Sequence, residues 1–143
     1  MNLLKIGKET VAINSSATVM DAIKVMAKAQ VGAILIIDDG QLNGIFTERD
    51  LMMRVVLEDK KPESTAVTDV MTSPVLTITK DKEPDDVLML MQEKHIRHLA
   101  LVNGEGDVEG MISIRHLLTE KVEHLTQELD SLEAYISADG IGG

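Results

Sequence analysis

Residues 44–51 read GIFTERDL and residues 110–117 read GMISIRHL. In both, a glycine is followed by two apolar residues, a hydroxyl residue, an arginine two places later and a leucine. A motif stated twice in a chain of 143 residues marks an internal repeat, and a repeat decides how every other segment is read. The copies differ at one telling place: Asp50 in the first is replaced by His116 in the second.

Working outward, residues 11–37 (VAINSSATVMDAIKVMAKAQVGAILII) fall on residues 76–102 (LTITKDKEPDDVLMLMQEKHIRHLALV) at an offset of 65. The identities are few: Ile13 with Ile78, Asp21 with Asp86, Met26 with Met91. The apolar pattern agrees far better, with positions 11, 13, 22, 23, 25, 26, 31 and 34–37 apolar in both copies. One extra residue in NGEGDVEG relative to DDGQLNG moves the offset to 66. A shared pattern with few identities reads as an old duplication kept by packing.

Each copy has the same order of elements. A short β-rich stretch (Val11–Ile13; Val75–Ile78) precedes a helix. In copy one, Thr18 and Asp21 form a capping-box pattern ahead of an apolar face of Ala22, Ile23, Val25 and Met26. In copy two, Pro84 suits the first helical position, and Asp85 and Asp86 suit the positive first turn. A continuous apolar run follows (AILII; LALV), then a Gly/Asp/Asn turn and another strand (LNGIFT; VEGMIS), which predicts a hairpin. A second helix begins at Glu48 or Ile114. Each unit thus reads β-α-β-β-α.

Neither unit has enough chain to bury both faces of a small sheet. The pattern predicts an α+β fold: two units related by a pseudo-twofold axis, packed sheet to sheet. The first unit with its joining loop takes residues 1–65, the second 66–118, a C-terminal helix 119–137 and a tail 138–143. AVTDVMT in the joining region predicts a short helical turn.

Composition narrows the function classes. The interior must be packed by aliphatic residues and nine Met, since only Phe46 and Tyr135 are aromatic. A net charge of −10 repels nucleic acid, and DKKP, the one basic cluster, reads as a solvated loop. No apolar run is long enough to span a membrane, and MNLLKIGKET lacks the apolar stretch of a secretory signal, so the cytoplasm is expected. The chain has no cysteine. His95, His98 and His116 cluster in copy two but belong to different elements, so no metal site is expected.

From Leu118 onward, apolar residues fall at 118, 122, 125, 129, 132 and 136, the stripe of a coiled-coil seam. This amphipathic helix either lies back on its own domain or pairs with its copy in a homodimer; alone it is marginal in water.

With Gly-h-h-Thr/Ser-x-Arg repeated in order (h apolar), the chain resembles a tandem pair of CBS domains, the regulatory units named after cystathionine β-synthase. TVMDAIKVMAKAQVGAILIIDDGQLNGIFTERDL resembles the first; DVMTSPVLTITKD, KHIRHLALV and GMISIRHLL resemble the second. The resemblance covers residues from about 8 to 120. It implies two clefts that take adenine nucleotides (AMP, ADP or ATP, in some members NAD or S-adenosylmethionine). It assigns Thr47 to phosphate or ribose and Asp50 to the ribose hydroxyls. A two-oxygen carboxylate suits a vicinal diol, and a helix start suits an anion. Gly44 would allow close backbone approach, Arg49 would reach phosphate, and adenine would lie between aliphatic side chains such as Ile13 and Ile34. In the second copy, Ser113 and Arg115 are kept while His116 loses the two-oxygen grip. Arg97 and His98 match positions that meet phosphate in some members.

Thr47-x-x-Asp50 is also the spacing of a helix cap that needs no ligand. The absence of any catalytic motif leaves a non-enzymatic, stand-alone sensor as the expected function, its partner a regulated enzyme or transporter. The rival is a dimerisation or docking module with vestigial clefts.

Overall fold

The computed structural model describes Leu3 and residues 10–137; the expected tail, 138–143, lies outside them. The first unit contains β1 (Ala12–Ile13), α1 (Val19–Ala29), β2 (Ala33–Asp38), β3 (Gln41–Thr47) and α2 (Glu48–Asp50). Helix α2 runs on as a wider π-helical segment, Leu51–Val56. A short helix, α3 (Val67–Val70), lies in the joining region. The second unit contains β4 (Thr77–Ile78), α4 (Pro84–Lys94), β5 (His98–Val102), β6 (Val108–Ser113) and α5 (Ile114–Ile136). The repeat, both hairpins and the helical turn in AVTDVMT are as the sequence predicts. No break separates the second unit's last helix from the heptad stripe, which lie on one continuous α5.

The two sheets have the same topology. β1 pairs parallel to β2, with Ile13 beside Ile36, and β2 pairs antiparallel to β3, with Ile34 beside Phe46. In the second sheet Ile78 sits beside Leu101 and Leu99 beside Ile112. A bulge follows the Ile36–Gly44 pair in one sheet and the Leu101–Gly110 pair in the other.

Alternation along the strands sorts the apolar residues into three cores. Ile34, Ile36 and Phe46 point to the helix side of the first sheet and pack with Ala22, Met26, Val55, Val67 and Val70. Leu99, Leu101 and Ile112 do the same in the second, with Val87, Met91 and Leu117. The opposite faces, Ala33, Leu35 and Ile45 against Ala100 and Met111, close the sheets on each other. Each fully buried Leu or Ile contributes about 1.5–3 kcal/mol relative to exposure.

The joining region belongs physically to the first unit. The first-turn N–H groups of α1 have no helical partner of their own. Val19 donates to Thr65 O (2.9 Å), Met20 to Pro62 O (3.0 Å), and Asp21 to Thr18 Oγ1 (3.1 Å). Asp21 returns the favour by accepting from Thr18 N (3.0 Å), completing the expected capping box. Thr72 pairs by two backbone bonds with Ile45 on the free edge of β3 (2.8 and 2.9 Å). Leu3 is helical and fully buried in the second unit's core. Leu3 thus packs on the second unit while the joining region packs on the first.

Candidate functional site

The site is built where β3 turns into α2. Thr47 is the N-cap of α2 in extended conformation (φ −120°, ψ 166°), and Asp50 completes a capping box with it. Asp50 N donates to Thr47 Oγ1 (3.2 Å), and Asp50 Oδ2 accepts from Thr47 N (3.0 Å) and Thr47 Oγ1 (3.2 Å). The other oxygen, Oδ1, accepts from Thr72 Oγ1 (3.0 Å) and faces Arg54 Nε at 3.7 Å. Asp50 is only 6% exposed, so these four neighbours surround a nearly buried carboxylate. Arg54 also donates to Met71 O (2.8 Å), which ties the same carboxylate to the joining segment. The cap reading of Thr47-x-x-Asp50 is therefore realised, and both oxygens already have partners.

The second unit repeats the frame with different chemistry. Ser113, nearly buried, caps α5 by accepting from His116 N (3.2 Å). Ile114 N donates to Arg97 O (2.8 Å), just as Glu48 N donates to Gly32 O (3.0 Å) in the first unit. Gly32 thus occupies the place of Arg97, and the Glu48 carboxyl covers it, 3.1 Å from where a Cβ would stand. The first unit carries two carboxylates at its helix start, Glu48 and Asp50; the second carries Arg97, His98 and His116 in the corresponding region.

An open depression of about 410 Å³ lies beside α4 and α5, lined by Glu83, Pro84, Asp85, Asp86, Lys121 and His124. A larger one, about 500 Å³, joins the two units: Arg49 from the first meets Arg97, His95, Ile96 and Ile114 from the second, with Met91 and Gln92. Two guanidinium groups from separate units over a partly apolar floor suit an anion carrying an apolar group. His98, next to Arg97 in the sequence, is half-buried and does not line this depression. Its burial holds the imidazole below the ordinary histidine value; Glu48 opposes that shift, and His116 and Arg97 add to it.

The expected residues divide accordingly. Thr47 and Asp50 meet at the start of α2, and Ser113 and His116 at the start of α5. Arg49 and Arg97 share the larger depression. Arg115 is exposed, and it does not line that depression. Ile13 is partly buried against the first core. Two expectations need correction. Ile34 is fully buried on the helix side of its sheet, because strand alternation turns it away from any groove. The space above Gly44 is filled by Met71, whose Sδ would lie 2.4 Å from an added Cβ, so this glycine serves internal packing. Thr72 and Arg54 were missed. MT in DVMTSP carries a hydroxyl beside a helical turn, but nothing in the sequence places it against Asp50, 22 residues away.

Two β-α-β-β-α units of the same topology with hydroxyl-capped helix starts define a tandem repeat of one small α+β unit. A model of the CBS domain matches residues 6–57 and again 67–123, and the chain belongs to the CBS domain family. It is 34% identical over 124 residues to the mitochondrial CBS domain-containing protein CBSX3 of Arabidopsis thaliana, covering 83% of this chain but 60% of that one. The chain therefore spans about three fifths of that curated relative. Among solved structures, a signal-transduction protein with CBS domains from Burkholderia ambifaria is similar at 30% identity and TM-score 0.79, covering 86% of this chain and 95% of that one. A CBS domain protein from Pyrobaculum aerophilum complexed with AMP shares the fold at 22% identity and TM-score 0.74, covering 81% and 89%. So does the CBS domain pair of protein MJ0100 in complex with methylthioadenosine and S-adenosylmethionine, at 23% and 0.78, covering 87% and 98%.

Proposed function

We propose that this chain is a non-enzymatic regulatory module that binds an adenine nucleotide, AMP, ADP or ATP, between its two units. The observation that carries the reading is the asymmetric pair of helix starts. A nearly buried carboxylate, Asp50, sits among hydroxyl groups in the first unit, and Arg49 and Arg97 converge on one depression between the units. Asp50 takes the ribose diol, the Thr72 hydroxyl giving way, and the two guanidinium groups take phosphate. Adenosine-type ligands in two fold neighbours support the ligand class. Arg115 and His116 serve a second, weaker cleft. The module acts as a homodimer in the cytoplasm, and its readout is a regulated enzyme or transporter.

The test is thermal melting with millimolar AMP, ADP, ATP, NAD and S-adenosylmethionine. A ligand that binds only the folded chain at a hundredfold excess over Kd adds about 2.7 kcal/mol, or roughly 8 °C for a chain of this size. A midpoint unmoved by every member of the panel overturns the ligand reading.

One observation favours a second reading, an interaction module with vestigial clefts: both oxygens of Asp50 are already engaged by Thr47, Thr72 and Arg54. In that case the panel leaves the midpoint unchanged while self-association persists.

A further inference from the structure

The longest apolar face left uncovered by the described residues runs down α5. The helix is anchored at its start: Leu117 is buried in the second core, and Lys121 Nζ lies 3.1 Å from Oδ1 and from Oδ2 of Asp85 on α4. From Val122 to Ser137 every residue is exposed. The expectation that this helix lies back on its own domain is thus not met among the described residues. Leu118, Val122, Leu125, Leu129, Leu132 and Ile136 are 40–62% exposed. They form one stripe with alternating steps of four and three. A stripe this narrow is the seam of a coiled coil and is satisfied by one helix of matching period.

We propose that α5 pairs antiparallel with α5 of a second copy of this chain, forming a two-stranded seam. This goes beyond the nucleotide reading and does not rest on it. The stripe is its own complement: with Leu125 set against Leu129 of the second copy, Val122 meets Leu132 and Leu118 meets Ile136, so every stripe residue faces an apolar one. Charge selects the direction. The second half of the helix carries Glu128, Asp130 and Glu133 and no cation, while the first half carries Lys121 beside Glu120 and Glu123 and is less acidic. Parallel pairing brings Glu128 against Glu133 on both sides of the seam and superposes the two acidic halves. Antiparallel pairing sets each strongly acidic half along the less acidic half, reduces the two Glu128–Glu133 encounters to one like-charge encounter, and opposes the helix dipoles. The remaining like-charge encounter, Glu128 with its own copy, is eased by His124, whose Nε2 lies 3.1 Å from Glu128 Oε1. Five acidic residues against one lysine between 118 and 136 repel an anionic membrane, so the stripe fits a protein helix. Because α5 begins at Ser113 and His116, the seam and the second unit's helix start share one rigid element.

Sedimentation velocity of the whole chain at tens of micromolar tests the seam. The wild type runs as a dimer, Leu125→Glu/Leu129→Glu as a monomer, and Gln127→Glu, on the outer face, as a dimer. Dispersed core methyl resonances show that each variant keeps its domain. A wild type that stays monomeric overturns the proposal. So does a double variant that stays dimeric, which places the interface elsewhere, for example on exposed Met52, Met53, Val56 and Leu57. The chain has no cysteine, so engineered thiols report direction cleanly. Val122→Cys mixed with Leu132→Cys forms a disulfide between the two variants. Faster crosslinking of either variant to itself overturns the antiparallel arrangement.

Discussion

The hydroxyl of Thr72 lies 3.0 Å from Oδ1 of Asp50, joining the segment between the units to the first helix start. The contact is part of a clamp. Thr72 is paired by its backbone with Ile45, Arg54 holds Met71 O, and Ser73 Oγ donates to Asn43 O at 2.9 Å. Thr72→Val keeps the shape and the backbone pairing but leaves a nearly buried carboxylate oxygen short of a donor. Such a loss costs about 1–3 kcal/mol. A urea titration should show a lower midpoint with an unchanged slope. Ser73→Ala, at an exposed bond, should lose no more than about 0.5 kcal/mol.

The two helix starts should respond differently to ligand. Asp50→Ala leaves the Thr47 cap but removes the carboxylate half of the capping box and the partner of Thr72 and Arg54, at a cost of about 1–3 kcal/mol, so its melting point alone says nothing about binding. The informative quantity is the rise caused by the nucleotide within each variant. If Asp50 grips the ribose, that rise disappears in Asp50→Ala and survives in His116→Ala. Equal losses in both would refute the assignment of the better site to the first unit.

Period and caps carry most of the fold in this sequence. Apolar runs AILII and LALV, the Thr18–Asp21 box and Pro84 place their elements because each signal is local. The buried position of Ile34 was legible too, since alternation alone puts it beside Ile36 on the helix face. The exchange that sends Leu3 to the second core, and Val67 and Val70 to the first, was not. It depends on which partner surface closes over a short apolar segment, and no local pattern encodes that. The same holds for Thr72 against Asp50. The π-helical segment Leu51–Val56 was also unreadable, because LMMRVV is compatible with ordinary helical spacing.

His98 gives the fold a pH dependence. Burial keeps its imidazole below the ordinary value in the folded chain, with Glu48 opposing and His116 and Arg97 reinforcing the shift. Below about pH 6.5 the unfolded chain takes up a proton that the folded chain resists, so the unfolded state is favoured as pH falls. Stability is complete above that value and declines as pH drops toward the folded pKa. Melting points between neutral and mildly acidic pH should fall more steeply for the wild type than for His98→Gln. Parallel curves would remove His98 as the cause. At lower pH a second decline is expected as Asp21 and Asp38 protonate. Their carboxyls are held below the usual range, first by backbone N–H bonds from Thr18 and Ser15.

Gly44 and Met71 should be energetically coupled. A Cβ on Gly44 would stand 2.4 Å from Met71 Sδ and 2.9 Å from Cγ, closer than atoms can pack, and a tight 3.1 Å from Cε. Met71 is flexible, but it also packs on the first core and its carbonyl is held by Arg54, so its freedom to move aside is limited. Gly44→Ala should therefore cost about 1–3 kcal/mol, the range for overpacking. Met71→Ala alone leaves a gap and costs something of its own. In the double variant the new methyl enters space that Met71 vacated, so the two losses should sum to more than the measured total by at least about 0.5 kcal/mol. Strict additivity in a denaturant double-mutant cycle would show that Gly44 is required for a reason other than Met71. Gly40 provides the contrast: its φ of +80° lies in the left-handed region with open space around it. Gly40→Ala should cost about 1–2 kcal/mol by backbone strain, and Met71→Ala should not relieve it.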